Sequence, residues 1–299
     1  MPLTDIRVSV ILPTRGRPHL LPRAVASVLD GQTLRAVELI VVDDNPASAR
    51  AETAVALAPW REDARLHLLV NPQSRNAAVV RNVGLAAAQA EWVSYLDDDD
   101  AYAPDKLQAQ LAAATRSGSP LVLCGARYHL GARERCRQCG ANEFAGADLV
   151  LRAQAGAPLL LHRRAPDLRF DETLAAGEDA EFFFRLVAHW RLKGVPNVPQ
   201  PLVEVYPQSG HERTNARAEA LWRAARTIAV RHGSAWPRDV RRVFVARARL
   251  QRAKWPGGSW RALSRASYGL WAVGGRAEMR TVLNTWAYRT PWLRRFVVS

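Results

Sequence analysis

Four consecutive aspartates, Asp97 to Asp100, follow directly on the mostly apolar stretch EWVSYL at residues 91–96. Carboxylates packed this closely repel one another and carry a desolvation cost if covered. The run therefore predicts a cationic partner. Divalent Mg or Mn is a hard cation that takes oxygen ligands, often one or two carboxylates together with substrate phosphates. Asp97, Asp99 and Asp100, spaced at the end of a strand, make a metal corner of that kind for a nucleotide diphosphate. The plain alternative is a solvated acidic loop. A second metal question concerns Cys124, His129, Cys136 and Cys139, whose C-x4-H-x6-C-x2-C spacing is compatible with a tetrahedral structural zinc. One C-x2-C pair is half of the usual pattern, and Cys124 also reads as a core residue.

The elements that must position these residues alternate between strand and helix patterns. Strands are predicted over 6–13, 37–45, 65–71, 91–96 and 121–128, and helices over 19–31, 75–90 and 178–190, with an Ala-rich segment at 47–57. Residues 195–208 read as extended and broken by proline. Repeated β-α-β units with continuous apolar strands predict a mostly parallel sheet covered by helices on both faces. Ligands of such sheets bind beyond the carboxyl ends of the strands. The places to look are PTRGRP, DDNP, NPQSRN and DDDD, after the first four strands in turn. No G-x-G-x-x-G and no GK[ST] follows the first strand, which excludes an ordinary dinucleotide fold and a P-loop.

The chain of 299 residues is large enough for one domain with an appendage. Its net charge of +14 is uneven: residues 217–299 hold 18 basic residues against Glu219, Asp239 and Glu278, and seven of the ten tryptophans. That tail reads as short helices with Arg on one side. Arg interleaved with Trp suits an anionic membrane surface; a helical lid packed on the body and a polyanion-binding tail are the other two readings, with nucleic acid the least favoured. No apolar run reaches the length of a membrane-spanning helix. The first residues read as a strand of a cytoplasmic protein, peripheral at most on the inner face of the plasma membrane, and not as a signal peptide.

VSVILPTRGRP, ELIVVDDNP, RNVGLAAAQAEWVSYLDDDD and FDETLAAGEDAEFFFRL occur in one order over about residues 6–212. In that order and spacing the chain resembles the family 2 glycosyltransferases. The resemblance implies a GT-A type α/β fold, a Rossmann-like sheet over residues 1–215, followed by the basic, mainly helical region 216–299. It further implies an inverting transfer from a nucleotide-sugar, with UDP the foremost donor nucleotide, to a saccharide or polyprenyl-linked acceptor, assisted by Mn or Mg. Donor-binding roles fall on Pro13, Thr14, Arg15, Asp43, Asp44, Arg81, Asn82, Asp97 and Asp98. Asp99 is the direct metal ligand, with Asp97 the other member of the D-x-D pair. Asp179 is the base that takes the acceptor proton, with Glu178 beside it, and His211 belongs to a loop closing over the donor. The missing Q-x-x-R-W signature argues against a processive polymerase. A non-catalytic binding protein on the same fold is the rival reading, and a nucleotidyltransferase, lacking its Gly-rich Lys-bearing loop here, a weaker one.

Overall fold

The computed structural model describes residues 6–71, 76–153, 156–207, 215–253, 260–274 and 282–283. Four strands, β1 (Val8–Thr14), β2 (Val37–Asp43), β3 (Leu66–Val70) and β4 (Trp92–Tyr95), run parallel in the order β3-β2-β1-β4. Strand alternation sends Val8, Val10 and Leu12 of β1 to one face and Ile11 to the other. The first face packs against helices α1 (Leu21–Leu29) and α4 (Lys106–Ser117); the second packs against α3 (Ala77–Ala87) and α6 (Glu178–His189). Both faces are thus covered, which is why these strands read as unbroken apolar runs. Helix α3 approaches the sheet so closely that a Cβ on Gly84 would lie 2.5 Å from Ile11 Cγ2. A short helix α2 (Arg50–Ala56) lies between β2 and β3.

Beyond β4 the sheet changes character. It continues through β9 (Leu161–Arg163), β6 (Leu121–Leu130), β10 (Gly194–Val205) and β5 (Ala101–Tyr102), giving the order β3-β2-β1-β4-β9-β6-β10-β5. Here β9 is antiparallel to both neighbours, β6 and β10 are parallel, and β5 is antiparallel to β10. Strand β7 (Arg133–Arg137) folds back on β6, and β8 (Glu143–Ala145) pairs with β10 ahead of the short helix α5 (Gly146–Leu151). The prolines of β10 are accommodated by register shifts between Val198 and Pro201 and between Pro201 and Val203. Tyr95, His162, Phe170 and Phe182 stack between the two halves: Phe170 and Phe182 lie 4.0 Å apart and Tyr95 meets Phe170 edge-on at 5.3 Å. The result is a mixed α/β fold with flanking helices.

The basic region folds as α7 (Asn215–Arg231), α8 (Arg238–Ala253) and α9 (Trp260–Gly274). Ile228 and Val240 enter the same core as Phe182 and Phe183, and Trp236 packs on Phe184 at 5.0 Å. Arg231 fastens α7 to the body through Asp171 at 2.5 Å and Glu181 at 3.0 Å. Helices α8 and α9 share a smaller cluster of Val243, Ala246, Leu250, Leu263 and Leu270.

Candidate active site

A cavity of about 780 Å³ opens at the carboxyl ends of β1, β2 and β4, the place the parallel topology reserves for ligands. Its volume lies in the range of small-molecule sites. One wall consists of Pro13, Thr14, Arg15, Arg17, Asp44, Arg81 and Asp97 to Asp100. A second part of the lining comes from Tyr128, Leu130, Arg135 and Arg137 of β6 and β7, with Leu221 of α7.

The four aspartates divide their duties by position. Asp98 and Asp100 are buried. Asp98 Oδ2 accepts from Thr14 Oγ1 at 2.9 Å and from the Arg15 backbone N–H at 3.3 Å, so it pins the loop after β1. Asp100 Oδ1 accepts from the Tyr206 N–H at 3.1 Å and anchors the end of β10. Asp97 and Asp99 keep side-chain exposures of 35% and 15%, and these two are the pair able to meet a ligand. The cationic partners expected from the sequence are in part the chain's own. Arg17 lies 2.5 Å from Asp98 and 2.6 Å from Asp99, and Arg81 bridges Asp97 at 3.0 Å and Glu178 at 2.7 Å. Arg23 donates to the Asp99 carbonyl and lies over the Tyr206 ring at 3.9 Å.

Around the end of β4, Asp97 to Asp100 with Glu178 and Asp179 contact or neighbour Arg17, Arg23 and Arg81, while Arg15, Arg135 and Arg137 bring further positive charge to the same cavity. Burial, with further repulsion from Asp97 and Asp99, pushes the Asp100 carboxyl up to about 8. Burial also raises Asp98 to about 6 against the pull of Arg17. Arg81 moves the other way: burial disfavours its charge, but the carboxylates of Asp97, Glu178 and Asp179 outweigh that and raise it.

The exposed carboxylates of Asp97 and Asp99 are oxygen ligands of the kind a hard divalent cation takes. Among the described residues no group of three or more His, Cys, Asp or Glu gathers as a metal cage. A Mg or Mn ion bound with a diphosphate needs only one or two protein carboxylates, which Asp99 and Asp97 can supply. The zinc quartet does not converge. Cys124 and His129 are an odd number of residues apart on β6 and so project to opposite faces. Cys124 is buried in the core, and His129 is committed to Glu204 at 2.7 Å and stacks on Tyr206 at 4.4 Å.

Glu178 and Asp179 open α6 behind Gly177, whose φ of +75° makes the left-handed turn into the helix. A Cβ on Gly177 would come within 2.9 Å of Ala224 Cβ, so α7 seats directly on this turn. Asp179 Oδ1 accepts from the Ala180 N–H at 2.8 Å. Burial and the neighbouring Glu178 raise its carboxyl, with Arg81 opposing. Neither acid is on the cavity wall itself. Arg81, which is on the wall, joins Glu178 to Asp97 and so ties the turn to the aspartate cluster.

Two further residues expected at the donor do not reach the cavity. Asn82 is buried and clamps the loop before α6, donating to the Phe170 carbonyl at 3.0 Å and to Glu172 Oε1 at 2.9 Å. Asp43 is buried at the end of β2, where its carboxylate accepts from the Asn45 N–H at 2.8 Å and shapes the turn. Its neighbour Asp44 does line the cavity, held by Asn71 at 2.6 Å and Arg15 at 3.3 Å. His211 lies outside the described residues. Sequence reasoning missed Arg17, which sits in the quoted PTRGRP, and also Tyr128, Arg135, Arg137, Tyr206 and Leu221. The alternation R-x-R-x-R over 133–137, placed after a Gly, was the available signal for a hairpin.

Comparison with known proteins agrees with this architecture. Residues 9–164 match Glycosyl transferase family 2, and the chain belongs to that family. A Bacillus subtilis protein named Putative teichuronic acid biosynthesis glycosyltransferase TuaG is 32% identical over 168 residues, 56% of this chain and 56% of TuaG. WfgD of Escherichia coli, named UDP-Glc:alpha-D-GlcNAc-diphosphoundecaprenol beta-1,3-glucosyltransferase, is 31% identical over 110 residues, 37% of this chain and 42% of WfgD. Such matches span about half the length of the curated relatives. The crystal structure of Staphylococcus aureus TarS 1–349 in complex with UDP superposes with a TM-score of 0.66 at 16% identity, covering 97% of this chain and 89% of TarS 1–349. That likeness identifies the fold as the GT-A type.

Proposed function

We propose that the protein is a non-processive, inverting glycosyltransferase that moves a sugar, of the hexose type, from a nucleoside-diphosphate donor to an acceptor hydroxyl in the synthesis of a cell-surface polysaccharide. The observation that carries this reading is the Asp97–Arg81–Glu178 chain. It couples the exposed aspartates at the end of β4 to the turn bearing Asp179. The Pro13–Arg15 loop and Asp44 hold the nucleoside, with UDP favoured because TarS is described with UDP and UDP-GlcNAc. Asp99 and Asp97 would hold Mg or Mn, which when bound neutralises charge on the departing diphosphate. Asp179, with its raised proton affinity, takes the proton of the attacking hydroxyl. Arg81 holds Glu178 and Asp97 in place while this happens.

Among the described residues no helix is long and apolar enough to cross a membrane. We infer a peripheral, inner-face position from helix α9, whose exposed side carries Arg261, Arg265, Tyr268 and Trp271, with the last two rings 6.0 Å apart. Aromatic and cationic side chains on one helix face suit an anionic bilayer surface. The test of the enzymatic reading is direct. The full chain is incubated with UDP-, GDP- and dTDP-sugars, with and without Mn. Metal-stimulated release of one nucleoside diphosphate, with a sugar product inverted at the anomeric carbon, is expected. Absence of release from every donor in the presence of a crude glycolipid fraction would refute it.

A further inference from the structure

The zinc quartet does not converge, but two of its members do. Cys136 is the fourth residue of β7, and the chain bends two residues on at Gln138. The φ of +59° at Gln138 lies in the left-handed region that few non-glycine residues adopt. Both sides of the bend are fastened: Gln138 Nε2 donates to the Cys124 carbonyl at 3.1 Å, and the Gln138 carbonyl accepts from Asn197 Nδ2 at 2.9 Å. The bend turns Cys139 back toward β7, where its Sγ donates to the Arg137 carbonyl at 3.1 Å. Strand β6 leaves room for this sulfur. A Cβ on Gly125 would lie 2.8 Å from Cys139 Sγ and 2.7 Å from the Gln200 carbonyl oxygen, so a glycine in mid-strand is what these close approaches require.

The two thiols are neighbours in unlike settings. Cys136 is exposed and stands opposite Arg127 in the ladder, and a cationic neighbour is usual beside reactive thiols. Cys139 is half-buried, and burial together with the Cys136 thiol pushes its own thiol up. Cys124 belongs to the core, where burial pushes its thiol up to about 11. A cavity of about 350 Å³, lined by Cys136, Cys139, Phe144 and Arg152 among others, gives a small molecule access to both sulfurs of the pair. A disulfide needs Cα atoms roughly 4.4–6.8 Å apart, a span that a four-residue bend closes.

We propose that Cys136 and Cys139 form a reversible disulfide, a modification site that locks the end of β7 beside the larger cavity. The oxidant is a small-molecule disulfide. The Cys136 thiolate attacks one of its sulfurs and expels the first small thiol; Cys139 then attacks Cys136 in the mixed disulfide and expels the second. The two electrons reduce the small disulfide, and the two protons end on the thiols released. Arg135 and Arg137 flank Cys136 in sequence and line the larger cavity, so the bond holds the strand that carries them. None of this depends on what that cavity binds.

The test treats the reduced full chain with glutathione disulfide, then unfolds it, alkylates it and reads its mass. The pair should lose two hydrogens, leaving Cys124 as the single alkylated thiol against three in the reduced protein. Dithiothreitol should restore all three, and peptide mapping should join Cys136 to Cys139. Cys139→Ser, with the wild-type melting temperature, should stop at a glutathione adduct on Cys136. Amide hydrogen exchange over 133–139 should slow in the oxidised wild type and not in Cys139→Ser. Separate glutathione adducts on both cysteines, no reaction at all, or a bond to Cys124 would overturn the disulfide. Unchanged exchange in the oxidised wild type would overturn the lock.

Discussion

The two walls of the cavity are built by opposite means. The acidic wall stands on the ends of parallel strands buried on both faces, and each of its side chains is fixed by a second one: Asp98 by Thr14, Asp44 by Asn71, Asp97 by Arg81. The basic wall stands on a two-stranded hairpin and one side of α7, and it brings Arg135 and Arg137 to the cavity. A wall clamped by its own hydrogen bonds can serve one chemical task in many proteins. A projecting hairpin can change its side chains without disturbing the sheet. The contrast is between a wall fixed by its own contacts and a wall carried on a projecting hairpin.

The sharpest way to break that division is at Asp179. Asp179→Asn keeps the backbone contact at the start of α6 but removes the base, so turnover should fall by roughly 10²- to 10⁴-fold while nucleotide binding persists. Retained turnover, read as nucleoside diphosphate released per enzyme, would remove Asp179 from the mechanism.

Arg81→Ala tests how firmly the aspartate cluster is tied to the turn that carries Asp179. It would leave Glu178 without its partner in a largely buried setting and Asp97 without its own at the cavity surface, a change that costs about 1–3 kcal/mol. A urea titration should show that loss; a difference under about 1 kcal/mol would mean the bridge is only a surface ion pair.

His162, packed where the halves meet, offers a smaller and pH-dependent test. Burial lowers its imidazole to about 4, below the ordinary 6.5, although its bond to the Arg163 carbonyl opposes this. A depressed folded value means that stability is full above about 6.5 and is lost as pH falls toward about 4. The slope approaches about 1.4 kcal/mol per pH unit. His162→Gln should flatten the melting temperature over that window relative to wild type. An unchanged acid slope would show that His162 is not the group responsible.

What the sequence made legible follows the same division. β1, β2, β3 and β4, with α1 and α3, were readable because each is a continuous apolar run or an amphipathic repeat closed by Pro, Gly or Asp. With the carboxyl-end rule they set Arg15, Asp44, Asp97 and Asp99 at one edge of the sheet, and the family resemblance added Arg81. The second half was much less legible. β5, β8 and β9 are two or three residues long, too short to show a period, although β9 sits in the middle of the sheet. β7 carries arginine at alternate positions instead of apolar residues, so it read as loop. Helix α4 was passed over between the aspartates and β6, although Gly118 at φ +66° ends it in the usual way. Asn82 shows a different limit: a motif position does not fix which way an amide turns, and here it bonds the Phe170 backbone.

The most direct test of the central claim is a thermal-shift comparison of wild type and Asp99→Ala with UDP, GDP and dTDP, each with and without Mn. One nucleoside diphosphate should stabilise the wild type, and only when Mn is present, by the mass action of ligand on the folded state. Asp99→Ala should lose that response while melting normally without ligand. Equal stabilisation of both proteins, or stabilisation of the wild type without metal, would contradict a metal-diphosphate site at the end of β4.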